Sequence, residues 1–408
     1  MFSSRKITGA RCFARNSFLP LLALAFLTCF IPLNSNGSTV VAWGAGKTVA
    51  RPSDGINYGQ SIIPADLTNA AMIASGWSQS EALLTNGTMV FWGSNVVSTP
   101  GTTGNALFPA TNNPPTNNYQ SVACGKLHSV ALLTNGTVVA IGDILYGQTD
   151  VPANLTNVVA ISCGLYSSLA LKSNGTLSAW GGQGTVDYGQ GTVPGGISNI
   201  VAVSAGGYFN LVLKSDSTVF AWGGQNVGET NVPTGLSNVV AIAAGGWHCL
   251  ALKNNGTVVA WGLDGDGQAN VPANATNVVA VACGLYHSLA LRSNGTVVAW
   301  GYNAYGETNV PLGLTNVVQI TAGQYNSLAL VGSGPPVTQA LLVHPAFGTD
   351  GFSVSLPTLN GRVYQLEYRD ILTDGPWQPL PLHAGTGANL ILTDPAITPQ
   401  RFYEVQRW

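Results

Sequence analysis

Residues 278–301 read VVAVACGLYHSLALRSNGTVVAWG, and this stretch decides the fold. Its apolar residues recur with a period of two, which is typical of β-strands and not of helices. Three such segments follow one another, separated by Gly284-Leu-Tyr286 and by Ser293-Asn-Gly295. Asn-Gly between two apolar runs predicts a tight hairpin turn in which both residues take a positive φ. The stretch therefore predicts three short antiparallel strands.

The same unit recurs along the chain. Its Trp-Gly strand end, or an equivalent, appears seven times at spacings of 49, 49, 39, 42, 39 and 39 residues: Trp43, Trp92, Ile141, Trp180, Trp222, Trp261 and Trp300. Each unit continues through a glycine-rich loop into Val-Pro, so we predict four strands, A to D, of which D is short. Four strands in about 40 residues are typical of a β-propeller blade.

The two ends of the repeat region complement each other. The last copy supplies only strands A and B, within residues 317–331, whereas residues 39–64 supply strands C and D of a unit without its first half. Joining them completes one blade and removes two open sheet edges. We therefore predict an all-β chain: a seven-bladed β-propeller closed by N- and C-terminal strands, followed by a small β-sandwich.

Composition agrees with this class. The 408 residues include 50 glycines and 22 prolines but only 32 charged side chains. So many glycines and prolines exclude a mostly helical protein, and so few charges exclude a disordered chain or a coiled coil. The predicted domains are a signal peptide (1–36), the propeller (38–332), a linker (333–339) and the C-terminal β-sandwich (340–408).

The N-terminus has the pattern of a secretory signal. An apolar run over 18–33 follows four basic residues: Arg5, Lys6, Arg11 and Arg15. Because Pro20 and Pro32 shorten this run, we expect no membrane span after signal removal, and a secreted, periplasmic or cell-surface protein. Removal leaves 11 basic against 17 acidic residues, a net charge of −6. Without a basic stripe, we expect no nucleic-acid partner.

Two motifs carry a family resemblance. Gly125-Lys-Leu-His128-Ser129 and Gly284-Leu-Tyr-His287-Ser288, the second followed by Trp300-Gly301, resemble the repeats of the regulator of chromosome condensation family. The short unit with Val-Pro, as in 267–272, is similar to the secreted bacterial propellers that inhibit β-lactamases. The resemblance covers residues 39–331. It implies a seven-bladed propeller that binds protein without catalysis.

The tail has a resemblance of its own. Leu366–Trp377 reads L-E-Y-x-D-x-L-T-D-x-x-W and Arg401–Val405 reads R-F-Y-x-V. These runs resemble a C-terminal module of exported bacterial proteins, although Glu404 stands where a basic residue is more usual. The resemblance implies a small β-sandwich, and it leaves surface attachment, sorting and carbohydrate contact open as roles.

One face of the predicted disc is rich in aromatic residues. The A–B and C–D loops of a meander share a face, and two residues after the strand-A glycine five consecutive units carry a large ring: Tyr166, Tyr208, Trp247, Tyr286 and Tyr325. Five rings at ~150–250 Å² each amount to ~750–1,250 Å², against ~800 Å² per partner in a standard interface. The inhibitor resemblance implies protein contacts at this position. The alternative is that the rings plug the central channel or pack between blades.

Other residues join this predicted face. Trp77 lies one position earlier in its own unit, and the C–D loops add Asp264, Asp266, Tyr302 and Tyr305. Asp264-Gly-Asp266-Gly is similar to the start of a calcium loop but lacks the closing Glu. We therefore predict no metal and no cofactor.

Two further sets occupy shared repeat positions. For the histidines, loop hydrogen bonding is favoured over metal binding: His128, His248 and His287. For the cysteines before the strand-A glycine, packing near the axis is favoured over a disulfide or a metal site: Cys124, Cys163 and Cys283.

The sequence contains no catalytic triad, carboxylate pair or phosphate loop, so we do not expect an enzyme. It predicts a monomeric, non-enzymatic, exported scaffold whose aromatic face binds another protein. One alternative is an inhibitor of a secreted enzyme such as a β-lactamase. Another is a carbohydrate-binding or polysaccharide-degrading propeller with a glycan partner, because aromatic rings also stack on sugars.

Overall fold

The computed structural model describes residues 10–12, 38–47, 58–93, 119–224, 226–332, 343–348, 351–358, 363–370, 377–385, 389–396 and 401–407. Within these ranges the chain forms 28 strands, β1 to β28, and one 3₁₀ turn at Gly184–Val186. The described ranges hold no helix with the length and apolar character needed to cross a membrane. The signal peptide of the prediction, apart from residues 10–12, and the linker over 333–339 lie outside the described residues.

Seven three-stranded antiparallel sheets make up residues 38–332 of the described structure. The strands that line the axis, corresponding to strand A, are β3 (Ala70–Ser75), β6 (Tyr119–Cys124), β9 (Val158–Cys163), β12 (Ile200–Ala205), β15 (Val239–Ala244), β18 (Val278–Cys283) and β21 (Val317–Ala322). The middle strands are β4 (Gln79–Leu84), β7 (His128–Leu133), β10 (Ser167–Lys172), β13 (Phe209–Lys214), β16 (His248–Lys253), β19 (His287–Arg292) and β22 (Asn326–Val331). The outer strands are β2 (Thr39–Gly44), β5 (Met89–Gly93), β8 (Val138–Gly142), β11 (Leu177–Gly181), β14 (Val219–Gly223), β17 (Val258–Gly262) and β20 (Val297–Gly301). The all-β, propeller-type fold is therefore as predicted.

One sheet joins the two ends of the repeat region. Strand β2 pairs with β22 in the register Thr39↔Val331 to Gly44↔Asn326, and β22 pairs in turn with β21. The neighbouring sheet is bonded to it, because the side chain of Gln319 exchanges two hydrogen bonds with the backbone of Ile73 (3.2 and 3.0 Å). The seven-bladed closed ring stays a prediction, and this pairing supports it.

The fourth strand of each unit does not form in the described residues, so the prediction of four strands per unit was wrong. The Val-Pro segment turns instead of extending: in one unit Leu155 N donates to Pro152 O at 3.0 Å. Proline has no N–H to give to a ladder, and its fixed φ suits the start of a turn.

The Asn-Gly hairpins form, but with a different turn. Gly136 has a positive φ of 79°, whereas Asn135 does not. Gly136 N donates to Leu133 O and Leu133 N to Thr137 O, which makes a three-residue loop with a glycine bulge. The Asn135 side chain accepts a hydrogen bond from Thr137 N at 3.0 Å. Asn therefore serves this turn through its side-chain acceptor, not through a positive φ.

The middle strands provide the core. Their Leu-Ala-Leu segments are fully buried, as at Leu289, Ala290 and Leu291. The tryptophan that ends an outer strand lies across the neighbouring sheet, and Trp300 Nε1 donates to Gln268 O at 2.9 Å. Five of the seven sheets are tied to a neighbour by this buried hydrogen bond as well as by apolar packing. Ile141 replaces the tryptophan in β8, and Trp222 Nε1 has no hydrogen-bond partner among the described residues.

The tail forms two further sheets. One has the order β1–β28–β25–β26 and the other β23–β24–β27, with strands β1 (Ala10–Cys12), β23 (Val343–Gly348), β24 (Gly351–Pro357), β25 (Val363–Arg369), β26 (Gln378–Ala384), β27 (Asn389–Asp394) and β28 (Phe402–Arg407). Side chains of both sheets share one core, in which the rings of Phe352 and Tyr403 stack at 3.9 Å. Strand β26 also meets the propeller, where Leu382 N donates to Asn254 O at 3.0 Å. Strand β1 lies within the predicted signal peptide, which stays a prediction.

Candidate binding face

The loops that follow the axial strands are bonded to one another around the axis. In each link a backbone N–H donates to a carbonyl oxygen of the next sheet, at 3.1–3.4 Å: Trp77 to Gly125, Lys126 to Leu165, Leu165 to Gly207, Gly207 to Gly246, Gly246 to Gly284, Leu285 to Gly323, and Gln324 to Gly76. These seven bonds form a complete circuit. The circuit holds every A–B loop at one level and surrounds a narrow central cavity of about 80 Å³.

The predicted aromatic residues lie side by side on this circuit. Ring centroids are separated by 5.9 Å from Tyr166 to Tyr208, 6.4 Å on to Trp247, 5.3 Å on to Tyr286 and 6.2 Å on to Tyr325. All five side chains are half-buried, and none of them lines the central cavity. They therefore do not line the channel, and each keeps part of its side chain exposed. We call these five rings the aromatic arc.

Trp77 extends the aromatic arc at its Tyr166 end. The ammonium group of Lys126 lies 4.5 Å from the ring centroid of Trp77 and 4.7 Å from that of Tyr166, and it donates a hydrogen bond to the Tyr166 hydroxyl. A cation held over two aromatic faces is attracted by both ring quadrupoles. Lys126 therefore bridges two rings that belong to the sheets on either side of its own.

A glutamine or glutamate fixes each of the six described C–D loops on the same face. The side-chain oxygen accepts a hydrogen bond from the backbone N–H two residues earlier, as Gln148 does from Tyr146 (2.9 Å) and Gln190 from Tyr188 (2.7 Å). The residues at this position are buried: Gln60, Gln148, Gln190, Glu229, Gln268 and Glu307. Since Tyr-Gly-Gln or Tyr-Gly-Glu recurs in four units, this contact places a second row of tyrosines at a constant height.

The second row contacts the first. Tyr146 meets Tyr166 edge-on at 4.9 Å and Tyr188 meets Tyr208 at 5.0 Å. At the other end Tyr302 lies 5.7 Å and Tyr305 lies 5.0 Å from Tyr325. The structure therefore brings the predicted Tyr302 and Tyr305 onto the arc.

Several exposed apolar side chains of the C–D loops were not predicted from the sequence. Ile144 and Leu145 are 68% and 70% exposed, and Tyr188 and Val227 are also exposed. An exposed contiguous apolar patch is characteristic of an interaction surface. Tyr188 could have been found from the sequence, because it lies two residues before Gln190 as Tyr146 lies two residues before Gln148. Ile144 and Leu145 could not, because other units have no apolar pair at their positions.

The two predicted aspartates have different surroundings. Asp264 is exposed, and its Oδ1 accepts a hydrogen bond from Ala269 N at 2.9 Å, so this carboxylate holds its own loop. Asp266 is exposed beside Tyr286, where its negative charge adds to partial burial in raising the pKa of the tyrosine. Among the described residues no three histidine, cysteine, aspartate or glutamate side chains come together as metal ligands do.

The histidines form hydrogen bonds between sheets, as favoured from the sequence. Nε2 of His248 lies 2.9 Å from Ser288 Oγ, and that hydroxyl donates to Gln268 O. Because the serine proton is committed to the carbonyl, Nε2 must carry the imidazole proton. His128 and His287 make the same contact. Burial lowers the pKa of His248 to about 4, so the ring is neutral at pH 7.

The cysteines of the axial strands are packing residues in the described structure. Cys124, Cys163 and Cys283 line the central cavity with free thiols, and Cys249 is free and buried. Burial raises the pKa of each of these thiols, which keeps them protonated.

Comparison with known proteins identifies the repeat. The model of the regulator of chromosome condensation (RCC1) repeat matches five segments: 119–148, 158–190, 200–229, 239–268 and 278–307. No curated protein sequence matches this chain.

Solved structures share the fold at low identity. Prp20p from Saccharomyces cerevisiae aligns with a TM-score of 0.59 and 19% identity over 73% of this chain and 92% of its own. Human WBSCR16 aligns at 0.54 and 19% over 72% and 98%. The CRINKLY WD40 ectodomain of the Arabidopsis thaliana receptor kinase ACR4 aligns at 0.51 and 22% over 66% and 95%. The chain therefore contains five matched RCC1 repeats between residues 119 and 307, and it shares the β-propeller fold of these solved structures.

Proposed function

We propose that this protein is a non-enzymatic, exported scaffold that binds another protein through the aromatic arc. The observation that carries the proposal is the arc itself: five rings from five consecutive sheets, each partly exposed and each within 6.4 Å of the next. Tyrosine and tryptophan bury a large area at low entropic cost, which makes them common anchors of protein interfaces.

The loops that carry the arc are held in place by hydrogen bonds, as the loops of a preorganised binding surface are. Each ring stands beside the backbone circuit, and each neighbouring C–D loop is held by a buried Gln or Glu side chain. Such preorganisation lowers the ordering cost of binding. The structural neighbour Prp20p, which is the yeast RCC1 protein, supports a protein as the class of partner, since it binds Gsp1p and histones and has been solved bound to Kap60.

The test compares two surfaces of one fold. Tyr208→Ala with Trp247→Ala removes the middle of the arc, and Leu312→Ala trims a fully exposed apolar side chain of a connecting turn. Each purified variant is immobilised to capture proteins from the culture supernatant and cell envelope of the source organism, with quantitation by mass spectrometry. We expect at least one protein to be retained by the wild type and by Leu312→Ala and lost from the arc variant. Equal capture by all three excludes the arc as the binding surface.

Two parts of the proposal need their own measurements. N-terminal sequencing of the exported protein tests the signal peptide, since export with removal of residues 1–36 leaves a chain that starts near Gly37. An inhibition assay with secreted β-lactamases tests whether the captured partner is of that class.

A further inference from the structure

Four tyrosines form a cluster at one end of the aromatic arc. Tyr302 lies 6.1 Å from Tyr286, 6.2 Å from Tyr305 and 5.7 Å from Tyr325, between ring centroids. All four side chains are half-buried, so their faces are shared between the protein and solvent. Together with Asp266 and Glu307 we call them the acidic tyrosine cluster.

Glu307 is fully buried beneath these tyrosines, and its carboxylate is only half satisfied. Its Oε2 accepts a hydrogen bond from Tyr305 N at 2.9 Å, whereas Oε1 has no hydrogen-bond partner among the described residues. Glutamine occupies this position in four of the six described C–D loops, where it makes the same hydrogen bond without a charge. Burial, with a smaller contribution from the charge of Asp266, raises the pKa of Glu307. A cation beside the cluster would stabilise both carboxylates.

The other end of the arc shows how such a cation is held. Lys126 places its ammonium group between the rings of Trp77 and Tyr166, which occupy the A–B loops of two different sheets. Tyr286 and Tyr325 lie in the A–B loops of adjacent sheets and stack on each other, with centroids 6.2 Å apart, so a cation at this end would lie over the rings and not between them. In the described part of the chain no lysine or arginine lies over these rings.

The balance of charge over all the loops on the face of the aromatic arc also favours a cationic ligand. Its described loops contain two lysines, Lys47 and Lys126, against four exposed carboxylates, Asp150, Asp187, Asp264 and Asp266, and three buried ones, Asp143, Glu229 and Glu307. The turns and connections of the opposite face carry four cations, Lys172, Lys214, Lys253 and Arg292, against Asp66 and Asp216. A face with surplus carboxylates attracts a basic surface and repels an acidic one.

We propose that the acidic tyrosine cluster receives a lysine or arginine side chain from a basic segment of the protein partner. This inference rests on the proposed function and adds the chemistry of the partner. The cation lies against the tyrosine faces, and Asp266 and Glu307 supply the opposing charge.

The experiment uses small peptides, so it does not require the partner. The full chain is titrated with Ac-Ser-Lys-Gly-Lys-Ser-amide and with matched peptides containing arginine, glutamine or glutamate in place of lysine, followed by calorimetry and tyrosine fluorescence at low and high salt. We expect the lysine or arginine peptide to bind about fivefold more tightly than the glutamine peptide, and more weakly in high salt.

Matched variants locate the site. Asp266→Asn with Glu307→Gln removes two charges, and the second change keeps the loop contact that glutamine makes in four other units. This double variant should reduce affinity for the lysine peptide about fivefold or more. Asp66→Asn, which alters an exposed aspartate of a connecting turn, should leave that affinity unchanged. Thermal unfolding checks that the variants remain folded.

The outcomes separate this inference from the proposed function. Equal binding of the lysine and glutamine peptides, or no effect of the two-charge variant, overturns the inference. So does binding of cellohexaose to these tyrosines that is independent of the two carboxylates, since the cluster would then be a sugar platform. If the peptides fail while Tyr208→Ala with Trp247→Ala abolishes protein capture, the proposed function stands and the basic partner does not.

Discussion

The backbone N–H of Gln324 donates a hydrogen bond of 3.2 Å to the carbonyl oxygen of Gly76, which bonds the last axial strand to the first. A second contact enforces the approach, because a Cβ atom on Gly323 would overlap that same carbonyl oxygen. Equivalent glycines meet the next carbonyl oxygen around the axis, from Gly76 to Gly284. Only glycine therefore fits at the position that follows each axial strand. The residue before it is small because of the same crowding near the axis.

Gly323→Ala should destabilise the propeller by about 1–3 kcal/mol, since the added methyl group must displace backbone atoms of the neighbouring sheet. The midpoint of denaturant unfolding measures the effect. Gly195→Ala is the control, because a Cβ atom there meets nothing within 4 Å and the residue has no positive φ. If the two variants unfold at the same midpoint, the axial contact is not tight in solution.

Glu81 predicts an unusual dependence of stability on pH. It stands in a middle strand where other units have Leu169 or Leu289, it is fully buried, and its carboxylate accepts a hydrogen bond from Ser129. Burial raises its pKa from 4.5 to about 7, so the folded chain binds more protons than the unfolded chain between these values. The contribution of Glu81 to the free energy of unfolding therefore falls as the pH rises from 4.5 to 7.

Glu81→Gln should consequently gain up to about 3 kcal/mol over the wild type at pH 8 and little at pH 4. Glu81→Leu, which restores the apolar residue of the repeat, should also be more stable at pH 8. Urea unfolding at several pH values measures both. A wild type that matches Glu81→Gln at pH 8 would show that the carboxylate is solvated.

The buried histidines act in the opposite direction. Burial lowers the pKa of His287 from 6.5 to about 3, so protonation favours the unfolded chain. The stability that depends on the neutral ring is complete above pH 6.5 and is lost as the pH falls toward 3.

Two other adjacent units supply a matched replacement for His287 and its hydrogen-bond partner Ser327. Phe209 and Cys249 occupy the positions that His287 and Ser327 hold in their units, and both are fully buried. The double change His287→Phe with Ser327→Cys should keep the propeller folded at pH 7 and lose less stability between pH 6.5 and 4. Thermal unfolding in this range measures the difference. An equal loss in both proteins would place the acid sensitivity elsewhere.

The repeat made the fold predictable. A period of two, Asn-Gly turns and a unit of about 40 residues are local signals, and they predicted the all-β propeller. The Val-Pro segment was assigned wrongly because an extended Val-Pro and a turn that begins at proline share a sequence. Pairing of Thr39–Gly44 with Asn326–Val331 was expected only because each end lacked what the other supplied.

The binding face was predictable in position but not in composition. Equivalent repeat positions placed Tyr166 and Trp247 on one arc, since loops of equal length emerge at equal heights. Lys126 went unnoticed because its role depends on Trp77, which belongs to another unit. The half-satisfied carboxylate of Glu307 is likewise a property of three-dimensional surroundings, since its sequence motif is similar to that of Glu229, whose two oxygens both accept hydrogen bonds.

Gln190 connects the stability of a loop to the position of an aromatic side chain, and this predicts a local effect. Gln190 is fully buried; its Oε1 accepts a part-buried hydrogen bond from Tyr188 N at 2.7 Å, and its Nε2 donates a buried one to Val186 O at 2.6 Å. Gln190→Ala leaves these two backbone groups without their partner, which costs about 1–3 kcal/mol per buried group.

In this variant, hydrogen exchange should therefore accelerate in residues 184–190 and stay unchanged in the axial strands. Gln183→Ala, in the same loop but exposed, is the control. Because Tyr188 contacts Tyr208, Gln190→Ala should also weaken capture of the protein partner through the arc. Unchanged exchange in this loop would mean that the glutamine does not hold the tyrosine in place.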